Sequence, residues 1–262
     1  MRSTVALLSL LLFAASAVAE EVTLWIGTTT PSSSQSKGIY CATLDTERGK
    51  LSQPELAAEI SSPGFVVRHP NGKLLYSVCD LPDGKGPGVA VYKISDNGKS
   101  LGRMVNTQPI GDGGACHLTV DASGKCLFTA QYGGGSVAVF PLADDGSIKP
   151  RSALIEHKGS GPNKARQKTP HPHWVGVDPT NRFLLVPDLG MDRVMIYRMD
   201  LDKGRLERHG SGVCPPGAGP RHMKFSPNGK FVYVLNELDI SVTVFKYDAK
   251  VGTLKAIQTI TA

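Results

Sequence analysis

One stretch of the sequence decides the fold: Arg221-His222-Met223-Lys224-Phe225-Ser226-Pro227-Asn228-Gly229-Lys230-Phe231-Val232-Tyr233-Val234-Leu235-Asn236-Glu237. Two runs rich in β-forming residues flank a Pro-Asn-Gly turn, which predicts a β-hairpin with its turn centred on Gly229. Arg221 lies eight residues before that glycine and Glu237 lies eight residues after it. Folding of the hairpin therefore brings a guanidinium and a carboxylate together at its open end.

The same design occurs three more times along the chain. Aligned on the turn residue, the hairpins cover residues 64–80 around Gly72, 116–132 around Gly124, 173–189 around Asn181 and 221–237 around Gly229, at intervals of 52, 57 and 48 residues. An alternating strand closed by a polar turn follows each hairpin, and a looser strand ends each unit. Four short strands per repeat of about 50 residues, with almost no helical periodicity, predict an all-β propeller of four-stranded blades.

The first unit begins one strand late. Residues 22–29, 38–44 and 54–60 supply its second, third and fourth strands, so the innermost strand is missing. A strand from the other terminus commonly completes such a blade, but residues 253–262 only finish the outer strand of the fifth unit. We therefore expect about five blades of a larger ring, incomplete and without a closing strand. The corresponding domain, a C-terminally truncated propeller, covers residues 20–262.

The N-terminal residues predict export. Arg2, an apolar run over residues 5–15 and the ending Ala17-Val18-Ala19 have the layout of a signal peptide over residues 1–19, cleaved after Ala19. No later segment approaches the roughly 18 uninterrupted apolar residues of a membrane span. We expect a secreted or periplasmic protein that does not insert into a membrane.

The charge and the cysteines exclude other classes of function. The formal net charge of +6 is spread along the chain. The sequence lacks the basic stripe with interleaved aromatic residues that would predict nucleic-acid binding. The five cysteines are an odd number, so at least one is unpaired, and they lack the C-x-x-C pairs of a zinc site. We interpret them as small buried apolar residues, with at most one chance disulfide pair among them.

An insertion over residues 156–173 interrupts the repeat. Its central part, residues 158–168, carries four cations and no carboxylate, and its Gly and Pro content predicts a loop. The loop leads into an inner strand at His173, which places the basic segment over the same edge as Arg221 and Glu237. The alternative is a solvated connection that happens to be basic.

Several motifs in this half of the chain resemble one family. They are Gly-Ser-Gly-Pro-Asn at 159–163 with Arg-Gln at 166–167, Pro-His-Pro-His at 170–173, Val-Pro-Asp-Leu-Gly at 186–190, Gly-Pro-Arg-His at 219–222 and Asn-Glu-Leu at 236–238. In this order they resemble the propeller lactonases, typified by 6-phosphogluconolactonase of the seven-bladed type and including carboxymuconate lactonizing enzymes. The resemblance implies a seven-bladed ring, a ligand site at the mouth of its channel, and His173, Arg221 and Glu237 as the catalytic set.

The chemistry of lactone hydrolysis suits those three residues. His173 is a candidate base near neutral pH, Arg221 a fixed positive charge for an oxyanion or a substrate anion, and Glu237 an orienting group or alternative base. Each also has a structural interpretation, since His173 could be a filler and Arg221 with Glu237 could tie the hairpin ends. A second group is expected to bind substrate: His117, Arg166, His171, Asp188 and His222.

Other kinds of site are less well supported. No G-x-S-x-G elbow is present, and Gly133-Gly134-Gly135 leads into a strand rather than a helix. Asp80, Asp188 and Glu237 could hold a divalent ion, but the oxygen cluster that calcium prefers is missing.

We expect a monomeric, metal-independent lactonase that acts on a small-molecule sugar or sugar-acid lactone without a cofactor. The competing hypotheses are a non-catalytic secreted propeller that binds carbohydrate or protein, and an inactive truncated product.

Overall fold

The computed structural model describes residues 21–82 and 84–261, which form β-strands and no helices. The first sheet contains β1 (Glu21–Ile26), β2 (Gly38–Asp45), β3 (Lys50–Leu51) and β4 (Glu55–Glu59). The second contains β5 (Val66–Arg68), β6 (Leu74–Leu81), β7 (Gly86–Ile94) and β8 (Leu101–Pro109). The third contains β9 (Ala115–Val120), β10 (Cys126–Gln131), β11 (Ser136–Pro141) and β12 (Ala153–Glu156). The fourth contains β13 (Gly176–Val177), β14 (Phe183–Asp188), β15 (Arg193–Asp200) and β16 (Arg205–Val213). The fifth contains β17 (Pro220–Phe225), β18 (Phe231–Asn236), β19 (Ser241–Asp248) and β20 (Thr253–Thr261). The predicted signal peptide, with its cleavage after Ala19, lies outside the described residues.

Each of the last four sheets is an antiparallel meander in which consecutive strands pair. The first sheet differs, because β3 and β4 both pair with β2, at Leu44↔Leu51 and Gly38↔Glu59. That sheet therefore contains four strands but is three strands wide, because β3 and β4 pair with different parts of β2. The all-β prediction and the units of four antiparallel strands are confirmed.

The turn residues confirm the register of the repeats. Gly72, Gly124, Asn181 and Gly229 have φ angles of 76°, 75°, 57° and 66°. This left-handed conformation is costly for most residues, and glycine and asparagine tolerate it best. The four residues on which the sequence aligns thus occupy the same place in four hairpins.

Apolar side chains alternate between the two faces of each inner strand and bind neighbouring sheets together. In β14, Leu184 packs in a cluster with the third sheet, whereas Leu185 packs in a cluster with the fifth. Equivalent clusters join the first sheet to the second and the second to the third. In the fifth sheet, the position equivalent to Leu185 is Tyr233, which is 44% exposed, while Leu185 is 0% exposed. Core packing thus runs from sheet to sheet along the chain.

The inner strand of the fourth sheet is shorter than the sequence predicts. The sequence predicts a strand that starts at His173, but β13 pairs with β14 only through Gly176 and Val177. Pro187, in the partner strand, has no N–H to donate to the ladder, which limits the regular pairing. The backbone N–H of His173 still donates to the carbonyl of Pro187 at 3.1 Å. His173 is therefore held at the edge of the sheet.

Two further features concern the membrane and the cysteines. Within the residues described, the structure has no helix of the length and apolar character needed to cross a membrane. All five cysteines are free thiols, and four of them are buried while Cys116 is half-buried. Their interpretation as mainly buried apolar residues is confirmed, and none of the five forms a pair.

Candidate functional site

A pocket of about 500 Å³ lies at the edge of the sheets where the inner strands begin. Four of its lining residues are repeat equivalents, each eight positions before its turn: Gly64, Cys116, His173 and Arg221. A larger cleft of about 690 Å³ lies at the opposite edge, among the hairpin turns of the third and fourth sheets. That cleft contains no histidine in its lining. Because the chemically competent groups lie in the smaller pocket, we consider that pocket the candidate site.

Two arginines converge on one carboxylate in this pocket. The Nε of Arg221 donates to Oε2 of Glu237 at 2.9 Å, and Nη2 of Arg166 donates to Oε1 at 2.6 Å. The pairing of β17 with β18 shifts register between Pro220 and His222, so Arg221 lies in a β-bulge. Bulges redirect side chains at strand edges, and this one lets Arg221 face the pocket. The predicted meeting of Arg221 and Glu237 is observed.

The basic loop places Arg166 by means of its own polar residues. The side-chain oxygen of Asn163 accepts hydrogen bonds from the backbone N–H groups of Ala165 and Arg166 at 3.0 and 3.1 Å. Gln167 is fully buried and donates to the carbonyl of Leu189 and to the carboxylate of Asp192 at 2.8 and 2.7 Å. The loop is thus anchored on both sides of Arg166. It is more than a solvated connection.

Tyr132 is a pocket residue that the sequence reasoning missed. Its hydroxyl accepts a hydrogen bond from Arg166 at 3.1 Å, and its ring stacks on the ring of His171 at 4.5 Å. Nδ1 of His171 lies 2.7 Å from the carbonyl of Tyr132. The repeat alignment carried the signal, because Tyr132 lies eight residues after Gly124, as Glu237 does after Gly229. His171 lies behind Tyr132 and outside the pocket lining.

Three histidine rings lie side by side along the inner strands. His173 and His222 line the pocket with ring centroids 5.3 Å apart, and His117 lies 5.8 Å from His222 and 4.0 Å from the ring of Phe65. Nδ1 of His173 is buried without a hydrogen-bond partner among the described residues. His117 is 4% exposed and does not line the pocket, so it packs beneath the other two.

Burial and neighbouring charges keep these histidines neutral. Burial and the positive charge of Arg221 lower the pKa of His173 below its usual value. Burial, together with His173 and Arg221, lowers the pKa of His222 to about 4. Burial above all lowers the pKa of His117. At neutral pH the imidazole of His173 is therefore available to accept a proton.

Glu237 is held in its ionised form. Burial opposes ionisation, but the hydrogen bond from Arg166 and the charges of Arg166 and Arg221 outweigh it and lower the pKa of Glu237. The side chain of Glu237 is 29% exposed, so water reaches the carboxylate. The pocket thus combines a carboxylate, two guanidinium groups and a neutral imidazole.

The structure does not bring Asp188 into this pocket. Its side chain is 0% exposed, its Oδ2 lies 2.6 Å from Nδ1 of His157, and its Oδ1 accepts the backbone N–H groups of His171 and Gly190. Asp188 is therefore a buried acceptor behind the site. His157 was not singled out from the sequence, because its position at the start of a basic loop carried no repeat signal.

The described residues contain no cluster of three or more His, Cys, Asp or Glu side chains arranged to hold a metal ion. The carboxylates of Asp188 and Glu237 are both engaged in hydrogen bonds within the chain. The alternative of a divalent ion shared by Asp80, Asp188 and Glu237 gains no geometric support.

Successive four-stranded sheets packed face to face, with a polar pocket where their inner strands begin, define the β-propeller class. Comparison with known proteins agrees. Residues 23–262 match the family described as "Lactonase, 7-bladed beta-propeller". The chain belongs to this lactonase family.

Named relatives share much of the sequence. The 6-phosphogluconolactonase of Bacillus subtilis (strain 168) is 39% identical over 238 residues, which is 91% of this chain and 66% of the relative. A 6-phosphogluconolactonase of Pectobacterium carotovorum is 36% identical over 213 residues, covering 79% of this chain and 58% of the relative. The chain therefore spans less than two thirds of the length of these curated relatives.

A solved structure extends the comparison to three dimensions. The periplasmic gluconolactonase PpgL of Pseudomonas aeruginosa is 29% identical, with a TM-score of 0.84, and the match covers 93% of this chain and 69% of that one. The arrangement of the five sheets is thus shared with a protein of known structure.

Proposed function

We propose that this protein hydrolyses a sugar or sugar-acid lactone at the pocket formed by His173, Arg221 and Glu237. The observation that carries the proposal is the convergence of Arg166 and Arg221 on Glu237, beside the neutral imidazole of His173, which lines the same pocket. Membership of the lactonase family and the names of the relatives support it. In this proposal the pocket lies at the mouth of the channel of a propeller, and the description of the family supports a ring of seven blades.

The residues divide the reaction between them. His173 takes a proton from a water molecule as its oxygen attacks the lactone carbonyl carbon. The terminal nitrogens of Arg221, which make no hydrogen bond within the described part of the chain, donate to the oxyanion that forms. Glu237 orients Arg221 and the water. The ring C–O bond then breaks, and the leaving alkoxide recovers the proton from His173 to give the open hydroxy acid.

The two arginines also define the substrate as anionic or strongly polar. Arg166 and His222 line the pocket and are the binding residues for the part of the substrate away from the carbonyl. His117, His171 and Asp188 lie behind them and support rather than contact the ligand. We propose no metal ion and no cofactor at this site. We also propose that the protein acts as a monomer.

The cellular location bears on the choice of lactone. The relative from B. subtilis is named for a phosphorylated lactone, and the P. aeruginosa protein is a periplasmic gluconolactonase. Residues 1–19 are a signal peptide in our proposal, so the protein is secreted or periplasmic after cleavage at Ala19. An exported enzyme encounters unphosphorylated sugars more readily, which favours an aldonolactone such as gluconolactone.

The test is an assay of lactone hydrolysis with gluconolactone and 6-phosphogluconolactone as substrates. The release of acid measures the rate. We expect hydrolysis above the buffer rate, and losses of about 100-fold or more in Arg221→Ala and Glu237→Ala. Unchanged rates in both variants would remove the catalytic assignment. Binding of a sugar acid without hydrolysis would instead favour the non-catalytic carbohydrate-binding propeller.

A further inference from the structure

A buried chain of three polar side chains lies behind the pocket. Nδ1 of His157 is 2.6 Å from Oδ2 of Asp188, and Nε2 of His157 is 2.8 Å from the hydroxyl of Tyr197. The side chains of His157 and Asp188 are 1% and 0% exposed. These partners assign the tautomer, since a proton on Nδ1 lets His157 donate to the carboxylate and accept from the tyrosine hydroxyl.

The carboxylate at the end of this chain is held from three directions. Besides His157, Asp188 accepts the backbone N–H of His171 at 2.8 Å and that of Gly190 at 3.0 Å. A buried polar network in which each member has a partner is rigid, and the loss of one member leaves a costly unpaired group. The backbone at His171 is therefore fixed from inside the protein.

His171 connects this network to the pocket. Nδ1 of His171 lies 2.7 Å from the carbonyl oxygen of Tyr132. The two rings stack with an interplanar angle of 19°. The hydroxyl of Tyr132 in turn accepts from Arg166, which donates to Glu237. A continuous path of hydrogen bonds and one ring contact thus runs from His157 to the guanidinium in the pocket.

We propose that His157 is a positioning residue of the site, which acts through Asp188, His171 and Tyr132 to fix Arg166 against Glu237. This inference rests on the proposed lactonase function, because Arg166 is taken to bind the polar part of the lactone away from its carbonyl. His157 touches neither substrate nor reacting atoms. Its effect is to keep the guanidinium in the geometry that binding requires.

A double-mutant cycle separates positioning from general damage to the fold. We expect His157→Phe to raise KM about tenfold with little change in kcat, because a misplaced Arg166 binds substrate less well. In an Arg166→Ala background, the same substitution should change KM by less than about twofold. Equal effects in both backgrounds, or no effect in either, would overturn the inference. His157→Gln, whose amide can still donate to Asp188, should recover part of the affinity.

A second readout does not depend on lactone hydrolysis. The carboxylate of Glu237 can be titrated by NMR in the unmodified protein, in Arg166→Ala and in His157→Phe. Because the hydrogen bond from Arg166 lowers the pKa of Glu237, both substitutions should raise that pKa. If the unmodified protein hydrolyses no lactone, the proposed function fails while this titration still decides the role of His157. An unchanged pKa of Glu237 in His157→Phe would refute it.

A pair of tyrosines offers a matched control if His157→Phe does not fold. Tyr197→Phe removes the hydroxyl that contacts His157, and Tyr247→Phe removes a buried hydroxyl that donates to Asp178 at 3.1 Å near the opposite edge. Both side chains are buried, at 2% and 5% exposure, but only the hydroxyl of Tyr197 contacts the network behind the pocket. Tyr197→Phe should raise KM two- to threefold and Tyr247→Phe should leave it unchanged. Equal changes in KM for the two variants would contradict the positioning role.

Discussion

Replacement of Glu237 by Gln tests whether the carboxylate between the two arginines is structural or functional. The substitution keeps the shape and removes the charge that pairs with Arg166 and Arg221 at 2.6 and 2.9 Å. The three side chains are 43%, 39% and 29% exposed, so each ion pair contributes only a few tenths of a kcal/mol to about 1 kcal/mol. We therefore expect the free energy of unfolding to fall by about 1 kcal/mol.

The expected effect on catalysis is much larger. If Glu237 orients Arg221 and the attacking water, its loss should lower kcat about 100-fold or more, which corresponds to about 2.7 kcal/mol of transition-state stabilisation. KM should rise only modestly, by about two- to threefold, because Arg166 loses the charged partner against which it is held for binding while the neutral amide keeps the shape of the side chain. Steady-state hydrolysis and urea unfolding on the same preparations measure the two quantities.

Asp202→Asn is the matched control for this substitution. Asp202 pairs with Lys125 at 2.6 Å at the opposite edge, with both side chains well exposed. It should change neither kcat nor KM and should alter stability only slightly. A kcat for Glu237→Gln within a few fold of the unmodified protein would show that the carboxylate merely ties the ends of the hairpin, and the reasoning would then be wrong.

Three further predictions concern the histidines, the core and the cysteines. Because the pKa of His222 is about 4 in the folded state against 6.5 for the free side chain, the unfolded state binds the extra proton between these values. The contribution of His222 to the free energy of unfolding should fall by about 2–3 kcal/mol as the pH drops from 6.5 to 4. Urea unfolding of His222→Gln should therefore show a shallower fall, and an equal slope would contradict the assignment. Leu185 is 0% exposed and Leu235 is 49% exposed, so thermal and urea unfolding should show a loss of about 2–5 kcal/mol for Leu185→Ala and less than about 1 kcal/mol for Leu235→Ala. Equal losses would contradict the packing between the fourth and fifth sheets. Burial raises the pKa of the Cys214 thiol to about 12, so a colorimetric thiol reagent should label Cys214 only after unfolding, and rapid labelling of the native protein would disagree with the structure.

Much of the architecture could be predicted because it rests on local rules repeated along the chain. A turn residue that accepts a positive φ, flanked by alternating apolar residues, defines each hairpin without reference to distant contacts. The same spacing placed Arg221 and Glu237 at one edge. The exception was the strand before Asn181, where Pro187 interrupts the ladder and leaves β13 two residues long.

The site could be predicted only in part, because some of its members depend on three-dimensional contacts between repeats. Arg166 was placed correctly over the edge from the course of its loop, but its bond to Tyr132 links residues 34 positions apart. His157 follows a strand of the third sheet and contacts Asp188 at the end of a strand of the fourth. No periodicity in the sequence encodes such contacts. The sequence therefore predicts Asp188 at the ligand, whereas the structure places it in the interior behind the site.

The most direct test of the account is the structure of the protein with a bound aldonate, the product of lactone hydrolysis. We predict that the carboxylate of the product lies within hydrogen-bonding distance of Arg221, with His173 and Glu237 on either side of the carbon that had been the lactone carbonyl. Binding of the product in the cleft at the opposite edge, or in any place that leaves Arg221 and Glu237 without contact to it, would contradict the proposal that this pocket is the active site.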